Sequence, residues 1–118
     1  MKRILIVDDT SFMRVALRDT LTNNGFDVVG EAVNGVEAVQ KYFELNPDII
    51  TLDITMPIMD GIEALREIRS RDPKVKAIMV SAMGQESLIR KSILSGARGF
   101  IVKPYDEQYI VDALNELD

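Results

Sequence analysis

A chain of 118 residues suits one ordinary folding unit, since single cores run to roughly 100–150 residues before chains divide, and its length excludes a second domain. Hydrophobic residues make up 47% and charged residues 28%, the balance of a folded globular protein, while a formal charge of -5 repels phosphate backbones and argues against nucleic-acid binding. With no cysteine and no histidine, the chain has no disulfides, thiolate sites or imidazole bases, and any chemistry must use carboxylates, hydroxyls or lysines.

The first apolar run, Ile4 to Val7, is cut off by Asp8 and Asp9. It is far too short for a signal-peptide core or a membrane span, so it predicts a buried strand in a cytoplasmic protein with no membrane contact. Met13, Ala16, Leu17, Thr20 and Leu21 then recur at helical spacing, and Asn23-Asn24-Gly25 stops the helix. Asp27 to Ala32 mixes polar and apolar residues around Val28-Val29 and reads as an edge strand. Val36, Val39 and Phe43 predict a second helix, stopped at Asn46-Pro47. Ile49 to Leu52 predicts the third strand, ended by Asp53, and Ile62, Leu65 and Ile68 the third helix, stopped at Asp72-Pro73. Ala77 to Val80 is the fourth strand, ended by Ser81, and Leu88, Ile89 and Ile93 mark the fourth helix, stopped at Gly96. Phe100 to Val102 is the fifth strand, ended by Lys103-Pro104, and Ile110, Ala113, Leu114 and Leu117 mark the last helix.

Strand and helix thus alternate five times, and every run but the second lacks polar–apolar alternation, as expected for strands buried on both faces. Parallel neighbours need right-handed helical crossovers, so the pattern predicts a doubly wound α/β domain with a five-stranded parallel sheet. Ligands of such sheets lie beyond the carboxyl ends of the strands. There the sequence places Asp8, Asp9, Asp53, Ser81 and Lys103, with a polar group at every strand end except the edge one.

Carboxylates about 4 Å apart repel by roughly 4 kcal/mol at an effective dielectric of about 20, so three cannot all stay ionised in one cleft without a cation. Magnesium fits best, because it binds through one or two carboxylates and completes its octahedron with water and phosphate oxygens. Phosphoryl transfer asks for an in-line nucleophile, a metal and donors to the other oxygens, which Asp53, the ion, Ser81 and Lys103 could supply. Taken singly, each residue has a plainer use: Asp9 as a helix cap, Asp53 as a turn former, Lys103-Pro104 as a strand terminus. Met13, Met56, Met59, Met79 and Met83 read as gap-fillers, and Arg90, Lys91 and Arg98 as a solvated face.

Together, Val7-Asp8-Asp9, the stretch Leu52-Asp53-Ile54-Thr55-Met56-Pro57-Ile58-Met59-Asp60-Gly61, Ser81-Ala82 and Phe100-Ile101-Val102-Lys103-Pro104 resemble the receiver domains of two-component response regulators. Among these the chain is most similar to the CheY-type single-domain chemotaxis regulators, over its whole length, and the resemblance implies one receiver domain spanning 1–118. CheY itself exemplifies the flavodoxin-like (βα)5 fold with strand order 2-1-3-4-5, so that order comes from the resemblance and not from the pattern. The resemblance makes Asp53 the phosphoacceptor. Asp9, Asp53 and the Thr55 backbone carbonyl would hold magnesium directly and Asp8 through water. Ser81 and Lys103 would contact the phosphoryl group, the Lys103–Pro104 peptide would be cis, and Ser81 and Phe100 would form the switch. Thr55 and Met83 flank the path of the hydrolytic water and would tune the lifetime of the acyl phosphate.

The implied partners are a histidine kinase or its phosphotransfer domain, a flagellar motor switch protein and a phosphatase, acting on a monomer. The protein would be no turnover enzyme, catalysing only its own phosphorylation and dephosphorylation. Ser81-Ala82-Met83-Gly84-Gln85 favours the chemotaxis regulators. The alternatives are a phosphorelay intermediate and a receiver fragment of a larger regulator. An aspartate-nucleophile phosphatase would need a second acid two residues after Asp53, where Thr55 stands, and no G-x-G-x-x-G or Walker sequence supports a nucleotide enzyme.

Overall fold

Ile, Leu and Val runs that cannot be left in water become the strands, and each amphipathic stretch between them folds back over the sheet as a helix. The computed structural model describes residues 1–117; position 118, the last of the expected domain, lies outside the described residues. In chain order the elements are β1 (Arg3–Val7), α1 (Ser11–Asn23), β2 (Asp27–Ala32), α2 (Gly35–Leu45), β3 (Ile49–Leu52), α3 (Gly61–Arg71), β4 (Ala77–Ser81), α4 (Glu86–Leu94), β5 (Gly99–Val102) and α5 (Glu107–Asn115). All strand pairs are parallel and the sheet order is β2-β1-β3-β4-β5, the order that the resemblance implies.

The sheet separates two cores. On one face Leu5, Val7, Ile50, Leu52 and Met79 pack against α2, α3 and α4 through Ala38, Leu65 and Leu88; on the other Ile4, Ile6, Ile49, Ile78 and Val80 pack against α1 and α5 through Leu21 and Leu114. Successive side chains of a strand point to opposite faces, so an unbroken apolar run feeds both cores at once. β5 departs from the expectation of burial on both faces: Val102 is exposed and Phe100 half-buried, because β5 is the second edge of the sheet.

The inward faces of α2 and α4 are rotated from their expected positions, whereas α1 buries Leu17, Thr20 and Leu21 as expected. In α2 the buried positions are Gly35, Ala38 and Tyr42, with Val36 exposed. Small residues let the helix approach the sheet, and the Tyr42 hydroxyl can be buried because it donates to Asp72 Oδ2 at 2.6 Å. In α1 Ala16 is exposed, and in α4 only Ser92 is buried, its hydroxyl bonded to the Leu88 carbonyl at 2.9 Å, while Ile93 and Leu94 face outward.

Candidate functional site

The site begins where two central strands stop together. The Asp53 amide donates to the Val7 carbonyl at 2.9 Å, so the ladder between β1 and β3 runs one step beyond the last strand residues and leaves Asp8 and Asp53 adjacent at its rim. The Asp8 amide donates to the Ala32 carbonyl at 3.1 Å, and Asp8 Oδ1 accepts the Thr10 amide at 2.9 Å. This Asx-type turn leads into α1, whose N-cap is Thr10; Asp9 is therefore not the helix cap, and it stays exposed beside the other two acids.

Asp8, Asp9 and Asp53 each present a carboxylate oxygen within 4.8 Å of the others. From β5, the Lys103 amide donates to the Ser81 carbonyl at 2.8 Å, and the following peptide to Pro104 is cis. Lys103 Nζ then reaches Asp8 Oδ2 at 2.7 Å and Asp53 Oδ2 at 3.3 Å. Residues separated by 95 positions along the chain thus share one ion-paired cluster.

The electrostatics follow from burial and neighbours. Burial pushes the Asp53 carboxyl up; Lys103 pulls it down and Asp8 pushes it up again, and the net position is above the usual carboxylate range. Burial alone would lower the Lys103 ammonium, but its contacts with Asp8 and Asp53 outweigh that and hold it above its ordinary value. Lys103 supplies one positive charge to the three carboxylates, which leaves the cluster short by about two. A hard divalent cation with oxygen preference fits that deficit and the all-carboxylate donor set.

Ser81 is buried at the end of β4, and its Oγ accepts the Met83 amide at 3.1 Å, which leaves its own O–H as a donor. Phe100 lies opposite Met79 in the β4–β5 register and packs, half-buried, against the α2–α3–α4 core. Thr55 is exposed. Of the methionines expected as filler, Met56 and Met79 are buried, whereas Met83 is exposed in the loop after Ser81. Phe12, in the first turn of α1, and Ile58, in the loop after Asp53, are exposed as well, and Ile58 is held at φ 72, a left-handed conformation costly for a β-branched side chain.

Sequence reasoning missed four supporting residues. Arg14 Nη1 donates to the Asp8 carbonyl at 2.8 Å and Arg14 Nε to Glu31 Oε1 at 2.9 Å, while Arg18 Nε takes Glu31 Oε2 at 2.7 Å. Glu31 lies inside β2, whose end at Ala32 and Val33 is apolar as expected, and its carboxylate anchors the guanidinium that holds the Asp8 backbone. Gly61 is the fourth: a Cβ there would lie 2.0 Å from the Asp53 carbonyl oxygen, so only glycine lets α3 start against the residue that follows β3. The Asp60–Glu63 capping box was the available signal for that helix start.

The response regulator receiver domain family matches residues 4–115. The chain is 54% identical over 116 residues to the chemotaxis protein CheY of Thermotoga maritima, covering 98% of this chain and 97% of that one. It is also 54% identical over 114 residues to the chemotaxis protein CheY of Bacillus subtilis, covering 97% and 95%. Among solved structures it resembles a chain of the CheX–CheY–BeF3–Mg2+ complex from Borrelia burgdorferi, with a TM-score of 0.92 and 43% identity over 96% of this chain and 86% of that one.

Proposed function

The chain belongs to the response regulator receiver domain family, CheY type, and from that premise we propose that it carries a phosphoryl group on Asp53 and, so charged, binds a flagellar motor switch protein through its α4–β5–α5 face. The observation that carries the reading is the buried Asp53 carboxylate, 3.3 Å from Lys103 Nζ inside a three-carboxylate cluster and on the same rim as the Ser81 hydroxyl.

In this reading 1–118 form one receiver unit, working as a monomer in the cytoplasm. Magnesium, held by Asp9, Asp53 and the Thr55 carbonyl and through water by Asp8, would neutralise the carboxylates and the incoming phosphoryl oxygens. An Asp53 oxygen attacks phosphorus as the bond from phosphorus to the donor breaks, and the electron pair leaves with the donor nitrogen or acyl oxygen. Lys103 trades its carboxylate partners for a phosphoryl oxygen, and the Ser81 O–H donates to another. The chain contains no histidine, so the donor is an external phosphohistidine, from a kinase or its phosphotransfer domain, or an acyl phosphate. The exposed Phe12, Ile58 and Met83 offer a protein donor or a phosphatase apolar contact beside the acids. Turnover is confined to the chain's own phosphorylation and dephosphorylation.

The added charge reorganises the switch: as Ser81 moves toward the phosphoryl group, Phe100, already half-buried, turns further inward and reshapes the surface of α4, β5 and α5. The expected result is that protein treated with acetyl phosphate and magnesium binds a flagellar motor switch protein at least about 10-fold more tightly than untreated protein, a coupling within the usual allosteric range. Equal binding, with efficient return of the phosphoryl group to a phosphotransfer domain, would replace the chemotaxis output with a relay role.

A further inference from the structure

α3 and α4 lie side by side over the sheet and leave between them an open cleft of about 570 Å3, lined by Arg66, Arg69, Arg90 and Lys91. Of the fourteen lysines and arginines in a chain of net charge -5, four meet here, and none of the described residues lining the cleft is acidic. Arg90 pairs with Glu86 at 2.8 Å, but both side chains are largely exposed, so the pair neutralises little. Among the described residues no carboxylate comes within 4 Å of Arg66, Arg69 or Lys91.

Two of these cations are nevertheless held in place. Arg66 Nε donates to Ser95 Oγ at 3.0 Å, and Arg69 Nη1 reaches the Leu94 carbonyl at 3.4 Å. The Arg69 stem lies across Gly96, where φ is +110 and a Cβ would come 2.6 Å from Arg69 Cδ. Both guanidiniums are thus oriented by neutral groups, with donors left for an anion. Leu94, 73% exposed, adds an apolar surface to the same cleft.

We infer that the α3–α4 cleft is a docking site for an acidic, amphipathic helical segment of a partner protein. Guanidinium forks suit carboxylates, and an apolar residue of the segment would cover Leu94. A compact phosphate ligand fits less well. Phosphate sites gather backbone amides around one point, whereas this cleft runs along α4 from Ser87 in its first turn to Leu94 at its end, so its cations are strung out and not convergent. Carboxylates spaced along a helix spread their charge over all four cations.

The test is titration of the isotopically labelled protein, followed by amide NMR shifts, with a synthetic helical peptide of about fifteen residues bearing glutamates on one face and a central leucine. Saturable shifts confined to α3 and α4 are expected, with an affinity that falls at least about 10-fold in the double variant Arg90→Glu/Lys91→Glu and falls again as salt is raised. Arg90 and Lys91 are exposed and absent from the carboxylate cluster, so that variant should keep its melting temperature and its labelling by acetyl phosphate; Arg66→Gln provides an independent second variant. Absence of saturable shifts, shifts elsewhere, equal binding of a peptide with glutamine for glutamate, or unchanged affinity in both variants would overturn the proposal. So would occupation of the cleft by tripolyphosphate but not by the peptide.

Discussion

The Met83 amide is committed to Ser81 Oγ at 3.1 Å, while its side chain, 43% exposed, stands in the loop after Ser81, which we propose borders the path of water to Asp53. A thioether can shield an acyl phosphate but cannot hold an attacking water. Met83→Glu is therefore expected to speed loss of the phosphoryl group several-fold, up to about 100-fold, since a carboxylate can orient and polarise the water. Labelling by acetyl phosphate should persist, because the residues that accept and hold the group are unchanged. The decay of phosphorylated protein after donor removal, followed with the melting temperature, checks this; unchanged or slower decay in a folded variant would place control of water elsewhere. Met83 also illustrates what residue type alone conceals: methionine is usually filler, and only its position in a surface loop shows that here it is not.

At the scale of elements, β2 and α1 are tied by Glu31, which bridges Arg14 and Arg18. Partial burial pushes the Glu31 carboxyl up, but the hydrogen bonds and charges of Arg18 and Arg14 together pull it below its ordinary value of 4.5. A carboxyl depressed in the folded state contributes stability that is complete above the unfolded value and is lost as pH falls through the folded one. The melting temperature of the wild type should thus exceed that of Glu31→Gln near neutrality, and the gap should narrow below about pH 4.5, closing as Glu31 protonates. Parallel curves would show that the bridge does not stabilise the fold. The bridge was invisible in the sequence because Arg14 and Arg18 fall on a helix surface and Glu31 inside a weak strand pattern, and nothing local says that they meet. The buried strands were legible, since apolar runs with polar stops admit few other readings, and so was β2 as an edge. Helix faces slipped where glycine, alanine, serine or a hydrogen-bonded tyrosine took the inward position, because a scan for large aliphatic residues selects their neighbours instead.

For the whole molecule, about 31 × 31 × 27 Å, the parallel topology decides where charge can gather. Every strand delivers its carboxyl end to the same rim, which brings Asp8, Asp53, Ser81 and Lys103 together although they are spread over most of the chain. The strand-end residues of the candidate site could be read for that reason: the fold class states which residues share a rim before any coordinate is known. Their pairing could not, because whether Lys103 faces a carboxylate or awaits a phosphoryl oxygen depends on what else occupies the cluster. Whether this rim makes Asp53 the magnesium-dependent phosphoacceptor is decided by intact-mass measurement after incubation with acetyl phosphate. One added phosphoryl group is expected on the wild type with magnesium, little without the metal, and none on Asp53→Asn. Equal labelling of Asp53→Asn, or labelling indifferent to magnesium, would contradict that assignment.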